Sequence, residues 1–247
     1  MLSLLWIEIL RVTRNVRVLL FTVALPAALY LLYTVMYGAQ MSIGSTDWAA
    51  YLMVSMAVFG GAGAALSTLG TRLAVERSGG WTRLLRTTPL TAAQYVGAKL
   101  VVSVLAAIPA IALLMLLAAL ADHVGLSVRE WLSILGFSVL GVVPFSALGL
   151  LLGYLFDAES AQAGQTIVWL AISLLGGLWV PVQAMPATLR QMAPYFPTYR
   201  AADLVRSVLG AGLRPVGQDL LVLLAYTIVL GVLAAWRYRG VTAQANV

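Results

Sequence analysis

The stretch TRLAVERSGGWTRLLRTTPL, residues 71–90, is the one sizeable charged segment between two long apolar runs. It carries Arg72, Glu76, Arg77, Arg83 and Arg86 together with Trp81, Leu84 and Leu85. On a helix the last three fall at i, i+3 and i+4 and form a short apolar ridge, with Arg83 and Arg86 beside it. Gly79-Gly80 loosens the entry. Pro89 ends the helix, because it has no amide donor and disfavours a helical Thr88. A basic, knob-like helix between two apolar spans has something to dock on the face where it emerges. A groove on a protein fits its aromatic anchor and flanking arginines; lipid phosphates are the alternative.

The apolar runs on either side set the class. The chain has 247 residues, 62% hydrophobic and 10% charged. So little polar surface does not suit a water-soluble domain of this size. Runs longer than eighteen residues match helices crossing a hydrocarbon core about 30 Å thick. They do not alternate, as barrel strands would. The expected fold is therefore an all-α integral membrane protein with a single transmembrane domain over 1–247. The net charge of +6 comes from arginines scattered at span ends, which reads as an orientation signal and not as a nucleic-acid surface. The chain has no cysteine, which excludes disulfides, thiol catalysis and thiolate metal sites. Its preference for Arg over Lys, with abundant Ala, suggests a bacterial source.

Taken in order, residues 1–17 read as an interfacial helix. Leu2, Leu5, Trp6 and Ile9 share one face, while Glu8, Arg11 and Asn15 share the other. The charges exclude a signal-peptide core. Spans are expected at about 18–38, 48–69, 92–121, 131–156, 161–180 and 219–236, six in all. Pro26, Pro109 and Pro144 are tolerated inside them. Gly60, Gly61, Gly63, Ala64 and Ala65 give the second span a face for close helix approach, and the fourth carries Gly149 and Gly153 four apart. Lys99 can extend its ammonium back toward the interface. Segment 181–215 holds five of the nine prolines. It is too broken to span and too apolar for a free loop. Two short helices, near 186–193 and 198–210, are expected at the membrane surface or dipping into it.

With the N-terminus inside, the inner segments carry ten of the fifteen basic residues. The positive-inside rule then favours both termini in the cytoplasm. Trp48, Trp131 and Trp179 fall at the outer interface, and Trp6, Trp81 and Trp236 at the inner one, depths that suit amphipathic rings. Trp169 alone sits mid-membrane.

This plan resembles the type-2 ATP-binding-cassette exporter permeases of the small drug-resistance kind. ERSGGWTRLLRTTPL looks like that family's cytoplasmic coupling helix. GGLWVPVQAMPATLRQMAPYFPTYRAADLVRSVLG looks like its signature: a glycine-rich exit from the fifth span, a proline turn, a surface helix, then a P-x-Y motif (Pro197, Tyr199) and a further helix. An interfacial helix followed by six spans completes the likeness. At Thr82-Arg83 the chain is basic where the family often has an acidic residue. The resemblance implies a multi-pass subunit in the bacterial cytoplasmic membrane. It would work as a dimer of permeases, expected to be identical, with two cytoplasmic ATPase subunits that bind the ATP and Mg, and it would export a lipophilic, drug-like compound. The chain itself has no Gly-x-x-x-x-Gly-Lys-Ser/Thr phosphate loop, so no cofactor is expected in it.

Two sets of residues follow as candidates. Glu76, Arg77, Trp81, Arg83, Leu84, Leu85 and Arg86 are expected to dock the ATPase, with the apolar ridge in a groove and the arginines fixing it electrostatically. The resemblance puts the substrate path at the dimer seam, between the first, second and fifth spans. There Gln162, Gln165 and Trp169 recur on the fifth, and Met53, Met56 and Phe59 could face them from the second. Adaptable methionine and aromatic side chains suit varied apolar ligands; plain helix packing is the competing account of each.

The span interiors carry almost no charge, unlike those of ion-coupled pumps. His123 is a lone loop histidine, which argues against a metal site. An intramembrane enzyme would need paired carboxylates or a histidine cluster, and the chain offers only Asp157 and Glu159 on one turn. A non-transporting scaffold would not require the basic segment. Export of a lipid or glycan precursor is the alternative within the same class.

Overall fold

The computed structural model describes residues 16–38, 42–43, 46–79 and 92–244. The expected interfacial helix lies outside these residues except for its last two positions, as does the stretch 80–91 with Trp81, Arg83, Leu84, Leu85 and Arg86.

Eight helices are described: α1 (Val16–Tyr37), α2 (Trp48–Ser78), α3 (Ala92–Ala121), α4 (Val128–Leu155), α5 (Ala161–Leu175), α6 (Ala187–Met192), α7 (Pro197–Arg206) and α8 (Val216–Gln244). Between α1 and α2 a small antiparallel ladder pairs β1 (Ser42–Ile43) with β2 (Thr46–Asp47), where the sequence suggests only a polar loop. Among the described residues four helices are long and apolar enough to cross a membrane: Trp48–Ser78, Gln94–Ala121, Val128–Leu155 and Val216–Tyr238. The apolar stretches of α1 (Val23–Tyr37) and α5 are shorter.

α2 is the axis of the bundle. Its most apolar window is entirely buried, against 17% for that of α8. Its sequence explains how: the run Gly60-Gly61-Ala62-Gly63-Ala64-Ala65 lets neighbours approach its backbone closely. A Cβ built at Gly61 would stand 2.7 Å from Ile111 of α3. From the other side, a Cβ at Gly149 of α4 would lie 2.5 Å from the Leu66 carbonyl oxygen. One at Gly153 would lie 2.8 Å from that of Gly70. α4 therefore rests glycine-first on α2, as the spacing of the pair suggests.

Three of the boundaries that differ from expectation have a visible cause. α2 continues nine residues past 69, and its 31 residues rise about 46 Å. That exceeds a core of about 30 Å, so Arg72, Glu76 and Arg77 belong to the end of this helix. α5 stops at Leu175 instead of continuing to 180. Gly177 takes a left-handed turn (φ 74°), and Thr198 occupies the space a Cβ on Gly176 would need. The Thr198 hydroxyl donates to the Ile172 carbonyl at 2.6 Å, taking up one of the acceptors the helix end leaves open. α4 starts three residues early because Ser127 and Glu130 form a reciprocal capping box.

The two short helices of segment 181–215 differ in kind. α6 has no buried residue, whereas all ten residues of α7 are buried. α7 begins with Pro197 at its first position, where a missing amide hydrogen costs nothing. It packs against α4 and α8, with further contact to α2 and α5.

Candidate transport path and coupling contacts

The site-forming contacts lie in three layers along α2. In the middle layer, Trp169 of α5 stacks on Phe59 of α2, ring centroids 5.4 Å apart and planes 18° from parallel. Its edge meets Phe145 of α4 at 5.5 Å and 80°. Gly63 is what allows this, since a Cβ there would stand 3.0 Å from the Trp169 Nε1. Gln165 lies one turn away on the same buried face, its amide pressed against Gly70. Both polar atoms of that amide are enclosed without a hydrogen-bond partner. Met53 and Met56 are buried in the same core as Phe59 and Trp169. Gln162 differs: it is exposed, and its Oε1 accepts from the Thr71 hydroxyl at 3.0 Å. The structure thus joins Phe59, Gln165 and Trp169 at the α2–α5 contact, leaves Gln162 at its rim, and places the methionines in the core.

At the end of α2 that leads into 80–91, the two described docking candidates have partners within the chain. Glu76 accepts from Lys99 Nζ at 2.8 Å and from the Tyr95 hydroxyl, both on α3. Arg77 donates to the Gly153 carbonyl of α4 at 2.8 Å, and its guanidinium lies 5.6 Å from the centre of the Tyr154 ring. Lys99 is 4% exposed; its ammonium turns to Glu76 and not to the interface, because a buried amine needs a counter-charge. The segment 80–91 is therefore flanked by helices tied together at its two attachment points.

At the opposite end, α7 carries charge into the bundle: its Arg200, Asp203 and Arg206, with Asp219 in the first turn of α8, are all buried. Arg200 donates from Nη1 to Asp219 Oδ1 at 3.0 Å and from Nε to the Pro194 carbonyl at 2.8 Å. Arg206 donates to the Ser55 hydroxyl at 2.7 Å and lies 4.1 Å over the Tyr51 ring, which ties α7 to α2. Asp203 accepts from the Leu213 amide at 2.9 Å. The signal in the sequence was the spacing of 200, 203 and 206, three apart on one short helix. Such spacing places charges along one side of a helix but does not say whether water or protein faces them.

Long apolar helices packed around a wholly buried one, with a charged helix folded back inside the bundle, define a polytopic membrane protein. The chain belongs to the ABC-2 family of transporter proteins, whose family model matches residues 39–236. It is similar to a putative transport permease, YvfS, of Bacillus subtilis (strain 168), with 30% identity over 233 residues, 93% of each chain. It is thus a transport permease subunit, and the family implies an ABC ATPase partner.

Proposed function

We propose that this chain is the transmembrane half of an ATP-driven exporter of lipophilic, drug-like compounds in the bacterial cytoplasmic membrane. Two copies pair, and two cytoplasmic ATPase subunits hydrolyse the ATP. Trp81, Leu84 and Leu85 seat in a groove on the ATPase, and Arg83 and Arg86 hold the contact. Closure of the ATPase pair pushes this segment, and the helices it joins follow, converting an inward-facing path to an outward-facing one.

The observation that carries the reading is the bracing of α2 at its charged end. Glu76 bonds to Lys99 and Tyr95, and Arg77 bonds to Gly153. A push on 80–91 therefore reaches α2, α3 and α4 together. Glu76 and Arg77 act in this reading as the root of the docking segment. The second copy is placed against α5, on the exposed face that carries Gln162, Thr166, Ile167 and Leu170. The path follows the α2–α5 contact, with Phe59, Gln165 and Trp169 repacking as the seam opens.

The decisive experiment combines Trp81→Ala with Leu85→Ala in the complex with its ATPase. Loss of ATPase co-purification, and of substrate-stimulated turnover, is expected. An intact complex with normal stimulation would remove the docking assignment. Unchanged export across Trp169→Ala and Gln165→Ala would remove those residues from the path.

A further inference from the structure

At the end of the bundle opposite the 80–91 segment, a cavity of about 420 Å³ opens between α1, the start of α2 and the turn that follows α5. Tyr33, Tyr37, Trp48 and Trp179 line it, with Gln183 on its wall. The Tyr33 and Tyr37 rings lie 6.2 Å apart at 41°, and Tyr37 meets Trp48 edge-on at 5.5 Å and 67°. No residue of the lining carries a formal charge. We propose that this aromatic-lined cavity is a binding site for an alkylammonium cation.

Three observations carry this. Four electron-rich residues line this one cavity, and aromatic rings hold the diffuse charge of quaternary and tertiary ammonium groups. Elsewhere three tyrosines lie under the protein's own cations: Arg77 over Tyr154, Lys99 over Tyr95 and Arg206 over Tyr51. The cavity rings have no such internal cation among the described residues. Lastly, the polar groups of the wall are sorted. The Trp48 indole N–H already donates to the Tyr33 carbonyl at 3.3 Å. The Trp179 indole N–H is enclosed without an acceptor, although its ring is fixed edge-on against Phe59 at 5.5 Å. The two indoles therefore offer ring carbon and not donors, which suits a cation.

The Phe59 ring that supports Trp179 also stacks on Trp169, which links the cavity wall to the α2–α5 contact. That it is the last station of an exported cation rests on the export reading; that it binds one does not. The same headgroup could come from a soluble amine or from a choline lipid.

The test uses the full-length chain in nanodiscs of phosphatidylethanolamine and phosphatidylglycerol, without ATPase or ATP. Choline is titrated against its neutral isostere 3,3-dimethylbutanol, followed by saturation-transfer NMR on the methyl protons. Choline is expected to bind about tenfold more tightly than the isostere. Tyr37→Leu, at a side chain 53% exposed and so safe for folding, should weaken it at least threefold. Trp179→Leu, which removes a ring, should weaken choline and tetramethylammonium alike. Equal binding of choline and the isostere, or indifference to Tyr37→Leu, would overturn the proposal. Competition when phosphatidylcholine is added to the discs assigns the headgroup to lipid, and its absence assigns it to a free amine. A chain that fails here in a complex that still exports would lose this site alone. Binding that survives in a complex that exports nothing would remove the export reading alone.

Discussion

Arg200 of α7 and Asp219 of α8 form an ion pair at 3.0 Å in which the Asp219 side chain is wholly enclosed and the Arg200 side chain 9% exposed. It joins a short helix to one long and apolar enough to cross a membrane. Removing one partner leaves a buried charge without compensation, which costs about 3–5 kcal/mol. Arg200→Met and Asp219→Leu, made separately, should each lower the thermal midpoint of the detergent-solubilised protein sharply. Made together they should recover most of the loss, because the desolvation penalty disappears with both charges. The Arg200 bond to the Pro194 carbonyl keeps the recovery from being complete. Scanning fluorimetry on the four proteins gives the coupling directly; additive losses would show that the pair is not a unit.

The contact of α4 with α2 is governed by Gly149. A Cβ there would meet backbone atoms of Leu66, at 2.5 Å from the oxygen, and backbone cannot rotate aside as a side chain can. Gly149→Val should therefore separate the two helices and abolish stable expression. Gly136 lies on the same helix with nothing within 4 Å of its Cβ position. Gly136→Ala should be neutral or gain up to about 1 kcal/mol of helix propensity. Yield and melting temperature of the two variants, made side by side, separate close packing from mere loss of glycine.

Length and apolarity made the long helices legible before any coordinates. The third runs over 92–121 as expected, since nothing inside it but Pro109 competes with helix formation. What local sequence could not show were contacts completed by distant partners. Glu76 and Arg77 look like the start of a loop, yet α2 continues through them because Tyr95 and Lys99 donate to Glu76 and the Gly153 carbonyl accepts from Arg77. Arg200, Asp203 and Arg206 look like a surface helix for the same reason; Asp219, Leu213 and Ser55, which bury them, lie 10 to 151 residues away. Phe59 facing Trp169 was within reach, because both sit at matching depth on neighbouring spans. Gln162 shares a helix side with Trp169 but lies in the first turn of α5, at the rim of the contact. The aromatic cavity went unread because its rings come from three separate segments.

Glu76 and Lys99 provide a test of transmission that leaves docking aside. Glu76→Gln keeps a polar side chain but removes the charge facing a Lys99 that is 4% exposed. The ATPase should still co-purify and hydrolyse ATP, while export per ATP falls several-fold because α2 and α3 no longer move as one. Glu76→Lys combined with Lys99→Glu should restore part of the ratio. Measuring transport and hydrolysis in the same proteoliposomes decides the point; a fall in both by one factor would indicate lost assembly and not lost coupling.

Acid should loosen the start of α5 before it affects the rest of the bundle. Asp157 lies in the exposed turn between α4 and α5, where its Oδ1 accepts from the Ser160 amide at 2.8 Å and from the Ser160 hydroxyl at 2.5 Å. These bonds favour the ionised form and hold its pKa below the ordinary carboxylate value. The sign follows from linkage: a carboxylate with a depressed folded pKa contributes stability that is complete above the unfolded value of about 3.9. That contribution is lost as pH falls through the lower folded value. Hydrogen exchange at the amides of residues 160–164, corrected for intrinsic rates, should show protection that is flat from pH 7 to about 5 and then declines. Asp157→Asn should make the profile flat throughout, at a lower level, while protection in α2 stays unchanged. A decline that persists in Asp157→Asn would assign the acid sensitivity to another group.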